Sequence, residues 1–424
     1  GKAKEITGIQ TPDDTTLVIN TTRPAGVLTT GNSLALPCTT PVPKEIAQKY
    51  DANKTSTYGE HQAFTGPYMI AGTETTGTVP KSGYSPNKIL VLVRNPSWDK
   101  GTDFRPAYFN KITFKGGNDI TVASRTILSG QSMMSGDYAA PPTSILKSAL
   151  ASQKSQLDIA PSQGIRFIAL NSKLKPLDNP NFRKALSAVT DRDALRVTRG
   201  GPTLGPLANH LIPPEMPGFE EAGGLAGPGY DFLKSPTGDV NLAKSYMKKA
   251  GYPTGMYTGP PLLLIADNQP PASKTAEAWQ AQVQKIGIKL NFRQVPHVSV
   301  ISKFCGTPKA NVAICPTLGW GKDFFDSQSS LDPILNGKNI VQSGNANYAQ
   351  ADDPALNAAM DKAETLIDAS ARAKAWAAID KTATGEAFYI PWLWDNQVNF
   401  ASKNVNGVKN KFNSSWDLTA SSLK

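Results

Sequence analysis

The chain has 424 residues, room for two or three domains at the usual ~150 residues each. Hydrophobic residues make up 39% and charged residues 18%, which excludes a disordered chain, and 35 glycines with 33 prolines in no fixed period describe a loop-rich globular protein rather than collagen. No apolar run approaches the ~20 residues of a membrane-spanning helix, and the net charge of +10 is scattered rather than gathered into a stripe, which argues against nucleic acid as a partner and suits an anionic membrane surface better.

The chain opens on Gly1, Lys2, Lys4 and Glu5, which is no signal peptide and leaves a processed or engineered start or a cytosolic chain. To about residue 160 the pattern is strands and turns. Residues 15–20, 89–94 and 108–115 are β-rich. In the last of these Phe109, Lys111, Thr113 and Lys115 share one face, and Asn110, Ile112 and Phe114 the other. Residues 164–170 read as a strand, and Asn179-Pro180 then opens a helix with Phe182, Ala185, Leu186 and Val189 on one side. The Gly/Pro-rich stretch 200–236 is expected to be irregular and surface-lying.

A short helix over 240–250 stops at Gly251. Strand 261–266, helix 272–286, strand 288–293, short helix 298–304 and strand 311–318 follow, an order that predicts a mostly parallel sheet with helices on its faces. Gly287 ends the longer helix. Two helices come next, one capped by Asp353-Pro354 and one over 371–382, then a strand at 387–393 and a polar, turn-rich tail.

The chemistry-bearing motifs of enzymes are missing. The sequence holds no G-x4-GK-[ST], no GxSxG, no HExxH and no GxGxxG after a strand, so no enzyme and no cofactor are expected. Cys38, Cys305 and Cys315 with His61, His210 and His297 supply no zinc spacing, and no metal site is expected. Cys305 and Cys315 stand ten apart around Gly306 and Pro308, which suits a local disulfide with Cys38 free; two buried thiols are the alternative. Asp326 and Asp332 match no calcium loop and are expected to cap helices or face solvent. One constellation does read as a binding edge. Strand 311–318 runs into Gly319, Trp320, Gly321, Lys322 and Asp323, an aromatic ring and a carboxylate between glycines, beyond the carboxyl end of a strand where α/β sheets bind ligands. A Trp320 that merely plugs the core is the plainer reading.

Several segments, in order, resemble the family 5 extracellular solute-binding proteins of ABC importers, the dipeptide- and oligopeptide-binding class. Thr65-Gly66-Pro67-Tyr68 is similar to the family's "GTGPY" turn, and Val91 to Trp98 (VLVRNPSW) to its "L-x-RNPxYW" strand and turn. Leu128-Ser129-Gly130 falls where the family has "L-x-SGE-x-D". The run from Asn171 through Pro176-Leu177-Asp178-Asn179 to Phe182-Arg183-Lys184-Ala185-Leu186, with Asp191-Arg192 after it, is similar to "N-x-x-x-P(F/L)D(D/N)xxVRQAL…DR". Gly319-Trp320 to Asp323 is similar to "GWxAD".

The resemblance implies an α/β protein with a two-lobe, periplasmic-binding-protein type II-like fold, mixed sheets and a hinge. Lobe I would hold residues 1–165 with the return of 391–424, and lobe II residues 166–390. It implies an extracytoplasmic receptor, periplasmic or a cell-surface lipoprotein, that captures a peptide or similar small solute between the lobes and delivers it to an ABC permease. A sugar, opine or metal chelate is the other solute class. The expected partners are that ligand, the permease, and the membrane surface through the permease or a lost lipid anchor; the receptor is expected to be a monomer. The family's long opening segment is expected to be missing here. In the family's peptide binders the aspartate of "GWxAD" pairs with the peptide's α-amino group, which implies that role for Asp323, with Trp320, Gly319 and Gly321 along the same edge. Lys322 replaces the usual small residue and is expected to neutralise Asp323 in part. Arg293 and His297 are the candidates for a ligand carboxylate.

Overall fold

The structure is a computed structural model that describes residues 6–51, 55–136 and 141–424. The charged opening residues 1–5 lie outside the described residues. Its strands are β1 (Ile9–Asp13), β2 (Thr16–Ile19), β3 (Tyr68–Ile70), β4 (Tyr84–Ser85), β5 (Ile89–Arg94), β6 (Lys111–Lys115), β7 (Leu157–Leu170), β8 (Leu262–Asp267), β9 (Leu290–Val295), β10 (Ile314–Gly321), β11 (Tyr389–Phe400), β12 (Val405–Asn406) and β13 (Ser422–Leu423). The helices that matter below are α1 (Pro180–Val189), α2 (Arg192–Arg199), α3 (Ala272–Gln284), α4 (Ser327–Leu335), α5 (Pro354–Glu364) and α6 (Ala369–Gly385).

The chain forms two compact units. One comprises Gly1–Thr39, Gln163–Thr198 and Pro206–Trp394; the other comprises Thr40–Ser162, Arg199–Gly205 and Asp395–Lys424. β7 and β11 each run from one unit into the other. Residues 1–39, assigned from the sequence to the first lobe, group with the 163–394 unit. Arg23 reaches Glu364 of α5 at 2.7 Å, and Gly26 lies against the backbone of Ile367.

The smaller unit is built on an antiparallel sheet in which β5 pairs with β3, β4 and β6. Asn95, just past β5, donates from Nδ2 to the carbonyls of Phe64 and Gly66 at 2.8 and 2.9 Å. The two sequence segments quoted above as "GTGPY"-like and "RNP"-like are therefore one structural corner. The strand read over 108–115 is shorter, since ordered pairing begins only at Lys111.

The larger unit carries a five-stranded sheet in the order β11-β7-β10-β8-β9. β8 runs parallel to β9 and to β10, while β7 is antiparallel to β10. The α1 helix starts as its sequence demands. Pro180 occupies the first turn, Asn179 Oδ1 accepts the Asn181 N–H at 2.9 Å, and Phe182, Ala185, Leu186 and Val189 are all buried. In α3 Trp279 is fully buried and donates from Nε1 to Thr190 Oγ1 at 2.8 Å. Gly287 follows at φ +82°, and a Cβ there would come within 2.7 Å of the Tyr257 carbonyl, so only glycine turns the chain at this point.

Residues 206–236 overturn a sequence expectation. They lack regular strands, but one side of the stretch is buried in the core rather than lying on the surface throughout. Ala208, Leu211, Ile212, Met216, Phe219 and Ala222 belong to the same core as Phe167, Leu318 and Trp376. A buried loop must have its backbone polar groups satisfied by other means. Here Asp380 of α6 accepts the N–H groups of Leu211 and Ile212, both at 2.9 Å, and meets His210 Nδ1 at 2.7 Å. The Arg192 guanidinium of α2 donates to the Ala208 carbonyl at 2.6 Å and to the Leu233 carbonyl. Burial draws Arg192 down to about 10, which leaves it charged at neutral pH.

Candidate functional site

The stretch read as strand-then-loop is one continuous strand. β10 starts later and ends later than the sequence suggests, and Gly319, Trp320 and Gly321 pair with Arg166, Ile165 and Gly164 of β7. Gly319 is required by that pairing, because a Cβ would fall 2.5 Å from the Ile165 carbonyl. Gly321 faces open space, with nothing near the place of a Cβ. Trp320 is half-buried, packs against the core of the larger unit, and donates from Nε1 to the Ser329 carbonyl of α4 at 2.9 Å. The core-plug reading thus describes one side of this ring. A disulfide joins Cys305 to Cys315, across a Cα–Cα distance of 6.2 Å, and ties the preceding segment to β10; Cys38 is free and exposed.

Past β10 two charges diverge. Lys322 turns back to Gln163 Oε1, and Gln163 Nε2 donates to Glu215 Oε2 at 2.8 Å. Burial lowers the Lys322 pKa, and the charge acting on it is that of Glu215. The expectation that Lys322 neutralises Asp323 is therefore not met, because the ammonium is engaged on the β7 side. Asp323 is exposed, and its carboxylate has no hydrogen-bond partner among the described residues. Enough protein surrounds it that partial desolvation raises its pKa. Asp326 instead caps α4: Oδ1 accepts the Gln328 N–H at 2.8 Å and Oδ2 accepts from Arg372 Nε at 2.6 Å. Asp332 is held by the amides of Asn336 and Asn339. Asp326 thus caps a helix as expected, whereas Asp332, expected to cap a helix or face solvent, is buried within α4, and no group of three or more metal-ligating side chains occurs among the described residues.

Arg293 and His297 lie around the end of β9. Arg293 is exposed on the edge strand, opposite Ile265 of β8. His297 follows β9 and meets Asp267 Oδ1 through Nδ1 at 2.7 Å. Asp267 is 4% exposed, and its Oδ2 accepts from Thr317 Oγ1 at 2.8 Å. Because the Thr317 hydroxyl gives its hydrogen to the carboxylate and not to the imidazole, the cluster is no nucleophile–base pair. Sequence reasoning missed Asp267, Thr317, Gln163 and Glu215. A single Asp closing a buried strand was the only available signal, and it fits no motif.

The arrangement offers polar groups at the carboxyl side of three strands that run in parallel. A family model described as bacterial extracellular solute-binding proteins, family 5 Middle, matches residues 2–342. Heme-binding protein A of Haemophilus influenzae is 26% identical over 54% of this chain, a match spanning 38% of that protein. Glutathione-binding protein GsiB of Salmonella paratyphi A is 24% identical over 95% of this chain and 72% of its own. Among solved structures, clavulanic acid biosynthesis oligopeptide binding protein 2 superposes with a TM-score of 0.82 at 25% identity, over 99% of this chain and 72% of that one. The mixed α/β, periplasmic-binding type of fold expected from the sequence is the fold found.

Proposed function

The chain belongs to the bacterial extracellular solute-binding proteins of family 5, and from that premise we propose that it captures a short peptide and delivers it to the permease of an ABC importer. The observation that carries the reading is Asp323. An exposed carboxylate with no hydrogen-bond partner among the described residues, placed just past two glycines at a strand end, suits an ammonium group arriving from solution. The similarity to a glutathione-binding and an oligopeptide-binding protein supports a peptide as the solute. Trp320, Gly319 and Gly321 would flank the same ligand. The proposal is of a two-lobe extracytoplasmic monomer whose lobes follow the two compact units, so that residues 1–39 leave the first lobe assigned from the sequence, and which meets the membrane at its permease or through a lipid anchor. No catalytic step is part of this role. No helix among the described residues is long and apolar enough to cross a membrane.

A heme-binding relative favours a second reading, a metal chelate as solute. Native mass spectrometry of the protein purified without denaturation separates the two. Adducts with masses of short peptides are expected. A porphyrin or sugar mass in their place would move the assignment to the non-peptide class.

A further inference from the structure

Among the described residues the most exposed large apolar side chain is Phe104, at 97%, on the stretch of the smaller unit that leads from β5 to β6. A ring left in water is unfavourable, and a loose loop would fold it back onto the protein. This loop is braced instead. Asp99 Oδ1 accepts the Gly101 N–H at 2.8 Å. Asp103 accepts from Trp98 Nε1 at 2.9 Å, and from the Arg105 N–H and Nε at 3.0 and 2.9 Å. Hydrogen bonding to Arg105 holds the Asp103 carboxyl well below its ordinary range, so this brace is charged at neutral pH. Farther on, the fully buried Ala107 donates its N–H to the Thr419 carbonyl at 2.7 Å, and the Phe109 carbonyl accepts from the Tyr68 hydroxyl at 2.9 Å. Phe104 and Tyr108, the latter 60% exposed, are thus displayed by a fixed segment.

The Ala107–Thr419 bond sets that segment beside the C-terminal loop. There the Asp417 N–H donates to the Val408 carbonyl at 2.7 Å, and Lys409 forms a β-bridge with Trp416. Lys409 and Lys411 of this loop are exposed, as is Lys100 of the first segment. The acids of the two segments are engaged with the protein itself. Asp103 pairs with Arg105, Asp99 holds Gly101, and Asp417 accepts the N–H groups of Thr419 and Ala420 at 2.9 and 3.2 Å. Asp158 approaches Lys409 at 3.5 Å, which leaves Lys100 and Lys411 to extend the positive charge outward.

We propose that this corner of the smaller unit rests directly on an anionic lipid bilayer, with Phe104 and Tyr108 entering the headgroup region and Lys100, Lys409 and Lys411 meeting the lipid phosphates. A ring that stands clear of the surface suits a deformable medium, whereas a protein partner would have to offer it a pocket. Aromatic rings favour the depth of the headgroups, and lysines near an anionic surface add an attraction that salt screens. An inserted ring and a basic rim together give reversible attachment, which neither gives alone. The inference is independent of which solute the protein carries.

The test is co-sedimentation of the full chain with vesicles of phosphatidylcholine alone, or with about a third phosphatidylglycerol, in low and high salt. Wild type is expected to sediment with the mixed vesicles in low salt, and to lose binding in high salt or on phosphatidylcholine alone. Phe104→Ala should weaken partitioning roughly tenfold and Phe104→Trp should retain it, both with an unchanged thermal midpoint because the ring is almost wholly in solvent. Replacing Lys409 and Lys411 together by Gln should weaken binding in low salt. No binding of wild type to the mixed vesicles overturns the proposal and gives the corner to a protein partner. Equal binding by Phe104→Ala and wild type, or equal binding of wild type to both kinds of vesicle, overturns it as well.

Discussion

Asp323, the proposed binding residue, differs from a structural residue of the same type three positions later: Asp326 spends both oxygens on the α4 N-terminus and Arg372, while the Asp323 carboxylate has no hydrogen-bond partner among the described residues. Partial desolvation raises the Asp323 carboxyl, so the fold disfavours its charge rather than relying on it. Asp323→Asn should therefore leave the thermal midpoint unchanged or slightly higher, with the loss confined to ligand affinity. A calorimetric midpoint that falls by several degrees would instead make the residue structural. Neither the freedom of Asp323 nor the turning away of Lys322 was legible in the sequence. Lys322 is adjacent in the chain, but its ammonium goes to Gln163 of β7, which is itself bonded to Glu215 of the buried loop.

At the scale of elements, the sequence located most helices and strands and misjudged two stretches for physical reasons. Gly319-Trp320-Gly321 reads as a strand breaker, yet pairing with β7 carries β10 through it. Residues 206–236 carry turn residues and no periodicity, yet Asp380 and Arg192, remote in sequence, satisfy their backbone. Asp380→Ala should therefore cost about 3–5 kcal/mol in urea unfolding, since it strips the buried Leu211 and Ile212 amides and His210 of their acceptor. A loss under about 1 kcal/mol would show that another acceptor takes over. The Cys305–Cys315 bridge closes a short loop and should contribute roughly 2–3 kcal/mol. Thiol titration of denatured, unreduced protein should count one thiol, from Cys38, and a count of three would remove the bridge from the account.

For the whole molecule, the proposed amine site sets a lower limit of pH. An ammonium would be held only by an ionised Asp323, whose pKa is raised above 3.8, so affinity should fall as pH drops through that raised value. Isothermal titration of penta-alanine at a series of pH values should show that acid limb, and an affinity that does not weaken toward acid pH would contradict the role.

The central claim, a receptor that reads a peptide by its free amine at Asp323, is tested most directly by isothermal titration of penta-alanine and N-acetyl-penta-alanine at pH 6 into wild type and Asp323→Asn. The account predicts that the free-amine peptide binds wild type and loses roughly 30-fold on Asp323→Asn, while the acetylated peptide binds both proteins weakly and alike. Equal affinity of the two peptides for wild type, unchanged in Asp323→Asn, would contradict it.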